Sequence, residues 1–296
     1  MPEPRDLSYL RILLGREEEE LEELRQLTAQ YHTVEVPKRR GGFRTIAIPP
    51  DDLKAFQRDV LKFLLRDFRI DGAVHGAVRG RNTKTHAAEH EYAQAAYILD
   101  FANAFGHVTR PMVEKVWRRC LFDGDEVSYL TDIVMCNGSL PQGAPTSNAI
   151  WNLVCEDLDT VLGRFAADHW LVYTRYVDEL VFSHPRHLSQ ELRRAIRCTV
   201  RDAGFVLNPR KSRYCHVRNG ALPITGISVS DGRLRLAKRR RERLRAFLHR
   251  AARDSTISRE RVEGRLGEVR LVYGELPPRL RRPYEQFLET RSASAL

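Results

Sequence analysis

The chain has 296 residues, 42% apolar and 30% charged, which is enough for a sizeable core that folds alone, as one large domain or as subdomains sharing a cleft. Its net charge of +10 rests mostly on arginine, whose planar fork suits phosphate, so a polyanion is the expected partner. Five cysteines without a Cys-x-x-Cys pair argue against a disulfide framework or a zinc site, no stretch approaches a membrane span, and the N-terminus lacks a secretory pattern; a cytoplasmic protein without membrane partners is expected.

Residues 1–30 form an acidic segment, helix-like from Leu10 to Leu27, in which Glu17 to Glu20, Glu22 and Glu23 read as a solvated face without chemistry. From Thr33 to Ile48 two alternating strands flank Pro37-Lys38-Arg39-Arg40-Gly41-Gly42, which predicts a hairpin with a basic turn. Pro49 and Pro50 end it, and Leu53 to Phe68 carries apolar residues at helical spacing, with Asp51 and Asp52 as caps. His86 and His90 stand one helical turn apart, but no third ligand is evident nearby, so structural or RNA-contacting roles outweigh metal binding. The run Ala96 to Leu99 then delivers Asp100 from the end of an apolar strand.

Thr109 and Pro111 open the next helix, with Met112, Val113, Val116 and Trp117 inward. The turn-rich Asn137 to Ser147 leads into a long apolar helix over Asn148 to Leu162, and Gly143 allows a close approach to the backbone. Tyr173 to Ser183 is a strand, a turn bearing Asp178 and Glu179, and a second strand. Adjacent carboxylates repel and resist burial unless a cation offsets them; alone, the pair would pass for a solvated turn tip, but Asp100 lets two strands aim three acids at one point, and Mg2+ is the expected ion.

Leu188 to Ala203 reads as an amphipathic helix ended by Gly204, followed by a strand, Phe205 to Leu207, and by Asn208-Pro209-Arg210-Lys211. Between Arg233 and Arg250 nine of eighteen residues are Lys or Arg, interleaved with leucines and Phe247 at the spacing of an amphipathic helix. Lys238, Arg239, Arg240, Arg241, Arg243 and Arg245 fit a nucleic-acid backbone, against the plainer readings of a soluble or a membrane-surface helix.

Taken in order, these segments resemble reverse transcriptases, most closely the retron type of bacteria, over about Tyr31 to Leu280. Leu140 to Ser147 is similar to a highly specific polymerase segment, and Tyr173 to Ser183 to the retron form of the Tyr-x-Asp-Asp hairpin. Lys38 to Arg44 resembles the fingers hairpin and Leu53 to Arg58 the helix after it. His86-Ala87-Ala88-Glu89-His90 and Ile224-Thr225-Gly226 are near matches to the Asn-Ala-x-x-His and Val-Thr-Gly elements of retron enzymes.

The resemblance implies an α+β right hand with an antiparallel palm sheet: fingers over 31–97 and 113–139, palm over 98–112 and 140–232, and a basic helical thumb over 233–296. It implies an RNA-directed DNA polymerase that uses two Mg2+ ions, or Mn2+, held by Asp100, Asp178, the supporting Glu179 and the carbonyl of Phe101. Lys38 and Arg44 would bind the β- and γ-phosphates, Phe105 would exclude a 2′-OH so that dNTPs are selected, Gln142 and Gly143 would line the pocket, and Lys211 would protonate pyrophosphate or contact phosphate. A retron enzyme would copy a structured noncoding RNA from an internal 2′-OH into an RNA–DNA hybrid serving antiphage defence, with an effector protein as a further partner. The alternatives are another bacterial class (diversity-generating, intron-like, CRISPR-associated or phage-exclusion) and an RNA-binding scaffold with weakened catalysis. Three departures stand out: Glu179 where the family usually has Asp, Ala104 in place of a common aromatic, and Asn148 where Pro is frequent. Only the first touches the chemistry directly, since Mg2+ tolerates poor geometry badly.

Overall fold

The structure is a computed structural model that describes residues 7–38 and 41–293. Arg39 and Arg40 of the basic turn lie outside the described residues. Nine strands form three antiparallel sheets among the described residues: β1 (His32–Pro37) with β2 (Phe43–Ile48); a central sheet ordered β4-β5-β3-β6 from β3 (Ala95–Asp100), β4 (Val172–Tyr176), β5 (Glu179–His184) and β6 (Arg213–His216); and β7 (Leu222–Ile224), β8 (Ile227–Ser230) and β9 (Arg233–Leu236).

The central sheet positions everything else because both of its faces are covered. Alternate residues of a strand point to opposite faces, and in β3 Ala95, Tyr97 and Leu99 enter one core while Ala96 and Ile98 enter another. That is why the β3 sequence is continuously apolar rather than alternating. The first core holds the central helices, including Arg110–Arg119, Gly124–Val134, Ser147–Val154 and Glu156–Asp168. The second packs the β7-β8-β9 sheet and the C-terminal helices Lys238–Ala251, Arg259–Tyr273 and Pro278–Ala293 against the opposite face.

Several expected elements differ in extent. The N-terminal helical segment is two helices, Ser8–Leu14 and Glu18–Gln26, separated where Gly15 takes a left-handed φ of 61°. The long apolar helix is likewise two, Ser147–Val154 and Glu156–Asp168, divided at Cys155. Thr109 stands at the expected helix start without a capping side-chain bond, and Asp51 and Asp52 lie inside the first turn of Asp51–Asp67 rather than before it. Phe205 to Leu207 makes only an isolated bridge, Leu207 to Phe101. The basic helix begins at Lys238, because Arg233-Leu234-Arg235-Leu236 alternates with period two and pairs with β8.

Candidate active site

Asp100 ends β3 opposite Glu179 of β5, and Val177-Asp178 is the two-residue turn between β4 and β5. The Phe101 amide donates to the Asp178 carbonyl at 2.9 Å, so the strand carrying one acid is stitched to the turn carrying the other. On the other side, the Asn208 amide donates to the Asp100 carbonyl at 2.7 Å and brings in the loop that bears Lys211, whose Nζ donates to Asp100 Oδ1 at 2.6 Å. Burial raises the Asp100 pKa; the Lys211 bond opposes the shift and the nearby Asp178 charge adds to it.

The turn itself is strained. Val177 has φ of +53°, where a β-branched side chain is a steric outlier. It is held from behind: Trp151 Nε1 donates to the Val177 carbonyl at 2.8 Å and Arg175 Nη1 at 3.1 Å. Arg175 is fully buried, paired with Asp159 at 2.6 Å and bonded to Asn152 Oδ1 at 2.9 Å, and Tyr173 donates to the same Asp159 at 2.6 Å. Asn152 donates in turn to the Gly76 carbonyl, and a Cβ at Gly76 would stand 2.2 Å from the Val177 nitrogen. Little in the local sequence marks this network. Its one legible signal is Arg175, which shares a strand face with Tyr173 in an otherwise apolar and aromatic run.

Glu179, the cross-strand partner of Asp100, is engaged by Thr225. Its Oε1 accepts from the Thr225 amide at 2.9 Å and from the Thr225 hydroxyl at 2.8 Å, and Arg213 stands 3.8 Å from Oε2. Burial raises its pKa while the Thr225 bonds oppose the shift. Among the described residues no three His, Cys, Asp or Glu side chains gather as a metal-binding group. The donor set nevertheless fits a hard divalent ion: two carboxylates, one destabilised by burial and by the other, with a lysine ammonium already drawn to the first.

The remaining candidates spread around this centre. Gly143 has φ of +142°, and a Cβ there would stand 2.5 Å from the Ala47 carbonyl; the Ala47 amide donates to the Gln142 carbonyl at 2.9 Å. The close partner of this glycine is therefore β2, which docks the β1-β2 hairpin on the polymerase-like segment. Lys38 and Arg44 are exposed on that hairpin. Phe105 is half-buried, 6.2 Å from Trp151, and Phe101 is buried against Trp151 and Phe205. Lys238, Arg239, Arg240, Arg241, Arg243 and Arg245 are all exposed, while Leu244, Phe247 and Leu248 of the same helix are buried; Arg240 pairs with Glu268.

His86 and His90 are buried and brace neighbouring elements. His90 bonds Ser183 of β5 and Thr174 of β4, each at 2.7 Å, and His86 bonds Thr225 at 2.6 Å.

Residues 36–249 match the family described as reverse transcriptase (RNA-dependent DNA polymerase). The chain belongs to the reverse transcriptase family. Its retron character also stands: it is 34% identical to the Retron Mx65 reverse transcriptase of Myxococcus xanthus over 87% of this chain and 65% of that protein. Identity to the Retron Mx162 reverse transcriptase of the same organism is 33%, over 66% of this chain and 46% of that one. The chain thus spans only about half to two thirds of these two relatives. With the Retron Ec83 reverse transcriptase of Escherichia coli it shares 26% identity over 86% of both. Telomerases from Candida tropicalis (apo; TM-score 0.56) and Candida albicans (with a TWJ fragment of telomeric RNA; TM-score 0.54) are 10% identical over 88% of this chain and cover 59% and 56% of their own. That likeness bears out the right-hand α+β polymerase fold. No helix among the described residues is long and apolar enough to cross a membrane.

Proposed function

We propose that the chain is an RNA-directed DNA polymerase that adds dNTPs to a primer 3′ end or an RNA 2′-OH. The observation that carries this reading is the convergence of Asp100 and the Asp178 turn on adjoining strands, with Lys211 Nζ at 2.6 Å from Asp100. Asp100 and Asp178, with the Phe101 carbonyl, would hold two Mg2+ ions, or Mn2+. When bound, such ions neutralise charge on both sides of the reacting phosphorus and lower the pKa of the attacking hydroxyl.

The protein groups do the rest. Lys38 and Arg44 lie over the β- and γ-phosphates, where two cations favour the transition state over the ground state. Phe105 sits beneath the sugar and excludes a 2′-OH, while Gln142 and Gly143 lie beneath the template base and the incoming nucleotide. Lys211, released from Asp100 as the triphosphate enters, gives its Nζ proton to the departing pyrophosphate oxygen. The exposed arginines of Lys238–Ala251 follow the template–primer backbone. In this reading, fingers (31–97 and 113–139), palm (98–112 and 140–232) and thumb (233–296) enclose the substrate.

The retron relatives support a finer reading: a structured noncoding RNA as template and 2′-OH primer, an RNA–DNA hybrid as product, an effector protein as partner, and antiphage defence in the cytoplasm as the setting. Primer extension by purified protein on an RNA template with Mg2+ or Mn2+ tests the activity. Incorporation that disappears with Asp178→Asn is expected; RNA binding without incorporation in either metal would favour the scaffold. Sequencing the nucleic acid that copurifies tests the template, and a variable repeat or a spacer-array transcript there would place the chain in another class.

A further inference from the structure

Two short elements of the sequence, His86 to His90 and Ile224-Thr225-Gly226, meet in space at a single residue. Ile224 pairs with Ile227, so Thr225-Gly226 is a two-residue hairpin loop, and both have positive φ, 44° and 83°. That pattern belongs to the type I′ turn, which takes Asn, Asp or Gly at its first position. A β-branched residue there is strained by its own backbone, and such strain persists only where the surroundings over-determine it.

Its side chain is fully engaged. Thr225 donates its hydroxyl proton to Glu179 Oε1 at 2.8 Å and its amide proton to the same oxygen at 2.9 Å. The hydroxyl proton being committed, the 2.6 Å contact with His86 requires that His86 Nδ1–H be the donor, which fixes the tautomer of a ring buried to 0% exposure. The turn is also pressed against the basic helix: a Cβ on Gly226 would stand 3.1 Å from Arg240 Nη1, so neither of its residues can shift freely.

We infer that Thr225, oriented by His86, is a positioning residue that ties up the Glu179 carboxylate and keeps it out of the ion-binding set formed by Asp100 and Asp178, and that the longer acid is present because it reaches the hook. An Asp carboxylate would fall about 1.5 Å short, one carbon–carbon bond. Glu179 then acts as a tethered second-row charge that aligns β5 beside β3, while the cation-binding oxygens come from Asp100, Asp178 and the main chain. This rests on the polymerase reading above, and it makes the departure from Asp at position 179 a matched pair with Thr225.

The test compares Thr225→Gly, which removes hydroxyl and strain together, with Thr225→Ser, which keeps the hydroxyl, using melting temperature, Mn2+ binding followed by electron paramagnetic resonance, and dNTP incorporation. Thr225→Gly is expected to melt no lower than wild type, yet to bind Mn2+ several-fold tighter as Glu179, left with the amide bond alone, joins the other acids, and to lose about tenfold in kcat with little change in KM for dNTP. Adding Glu179→Gln to it should abolish the tighter binding, and Thr225→Ser should behave as wild type within about threefold. Wild-type Mn2+ affinity and kcat in Thr225→Gly would overturn the inference. If that variant fails to fold, Thr225→Val, which keeps the shape without the hydroxyl, takes its place with the same two outcomes. A wild-type protein that incorporates no nucleotide would overturn the polymerase reading alone, because melting and Mn2+ binding still report on the hook.

Discussion

Asp159 and Arg175 are the residues on which the geometry of the Asp178 turn most depends, since the turn's strained backbone has no other buried cation behind it among the described residues. Both side chains are essentially out of solvent, 1% and 0% exposed. Removing one partner of such a pair strands the other charge, so Asp159→Asn should cost about 3–5 kcal/mol in urea unfolding, whereas an exposed pair such as Lys115 and Asp157 should cost less than about 1. Equal costs for the two would mean that the network does not brace the turn. Gly76→Ala asks the same question from the opposite wall: its Cβ would collide with the Val177 nitrogen, which cannot yield without moving Asp178, so incorporation should fall at least about tenfold. Unchanged incorporation would show that the turn tolerates displacement.

At the scale of elements, two dockings are open to measurement. The β1-β2 hairpin is held to the polymerase-like segment where Gly143 meets Ala47, so Gly143→Ala should push the hairpin outward and raise KM for dNTP about tenfold with a smaller effect on kcat, in steady-state assays. The helix Thr83–Ala88 and its following turn are held to β4 and β5 through His90, whose pKa burial lowers to about 3. A neutral buried histidine binds no proton in the folded state while the unfolded chain binds one below about pH 6.5, so its stabilisation is complete above that pH and is lost as pH falls toward 3. Near pH 5 the loss is about 2 kcal/mol from this group, and His86 and His75, both lowered by burial, add in the same direction. His90→Gln should flatten the fall in denaturation free energy between pH 7 and 5; parallel curves would show that His90 is not the titrating group.

The elements that carry chemistry were legible because their signals are local: a hairpin around Gly41-Gly42, acids at strand ends, and a turn-rich segment before a helix. What stayed hidden was tertiary. A break at Cys155 leaves no sequence mark stronger than the apolar periodicity running through it, and the period-two pattern of Arg233 to Leu236 is masked inside a helical window. The destination of Glu179 depends on Thr225, 46 residues away, which no reading of the hairpin alone supplies.

For the molecule as a whole, the charge is segregated: an acidic N-terminal helix, Glu18–Gln26, and a C-terminal helix whose exposed face is arginine. If that face follows a nucleic-acid backbone, replacing Arg239 and Arg243 by Ala should weaken RNA binding about equally for all sequences and reduce the salt dependence by roughly 0.7–0.9 for each phosphate no longer neutralised. An unchanged salt slope would remove this helix from the interface. The two cores meet on the central sheet, so the basic helix and the strand that carries Asp100 are parts of one packed body.

All of this depends on Asp100 and Asp178 sharing a divalent ion. Crystals of the protein with primer–template and a non-reactive dNTP analogue, grown in Mn2+, answer that through anomalous scattering. A Mn2+ peak is expected within about 2.2 Å of oxygens from both Asp100 and Asp178, with Glu179 still bonded to Thr225. A peak ligated by Glu179 and only one aspartate, or one remote from Asp100, would contradict it.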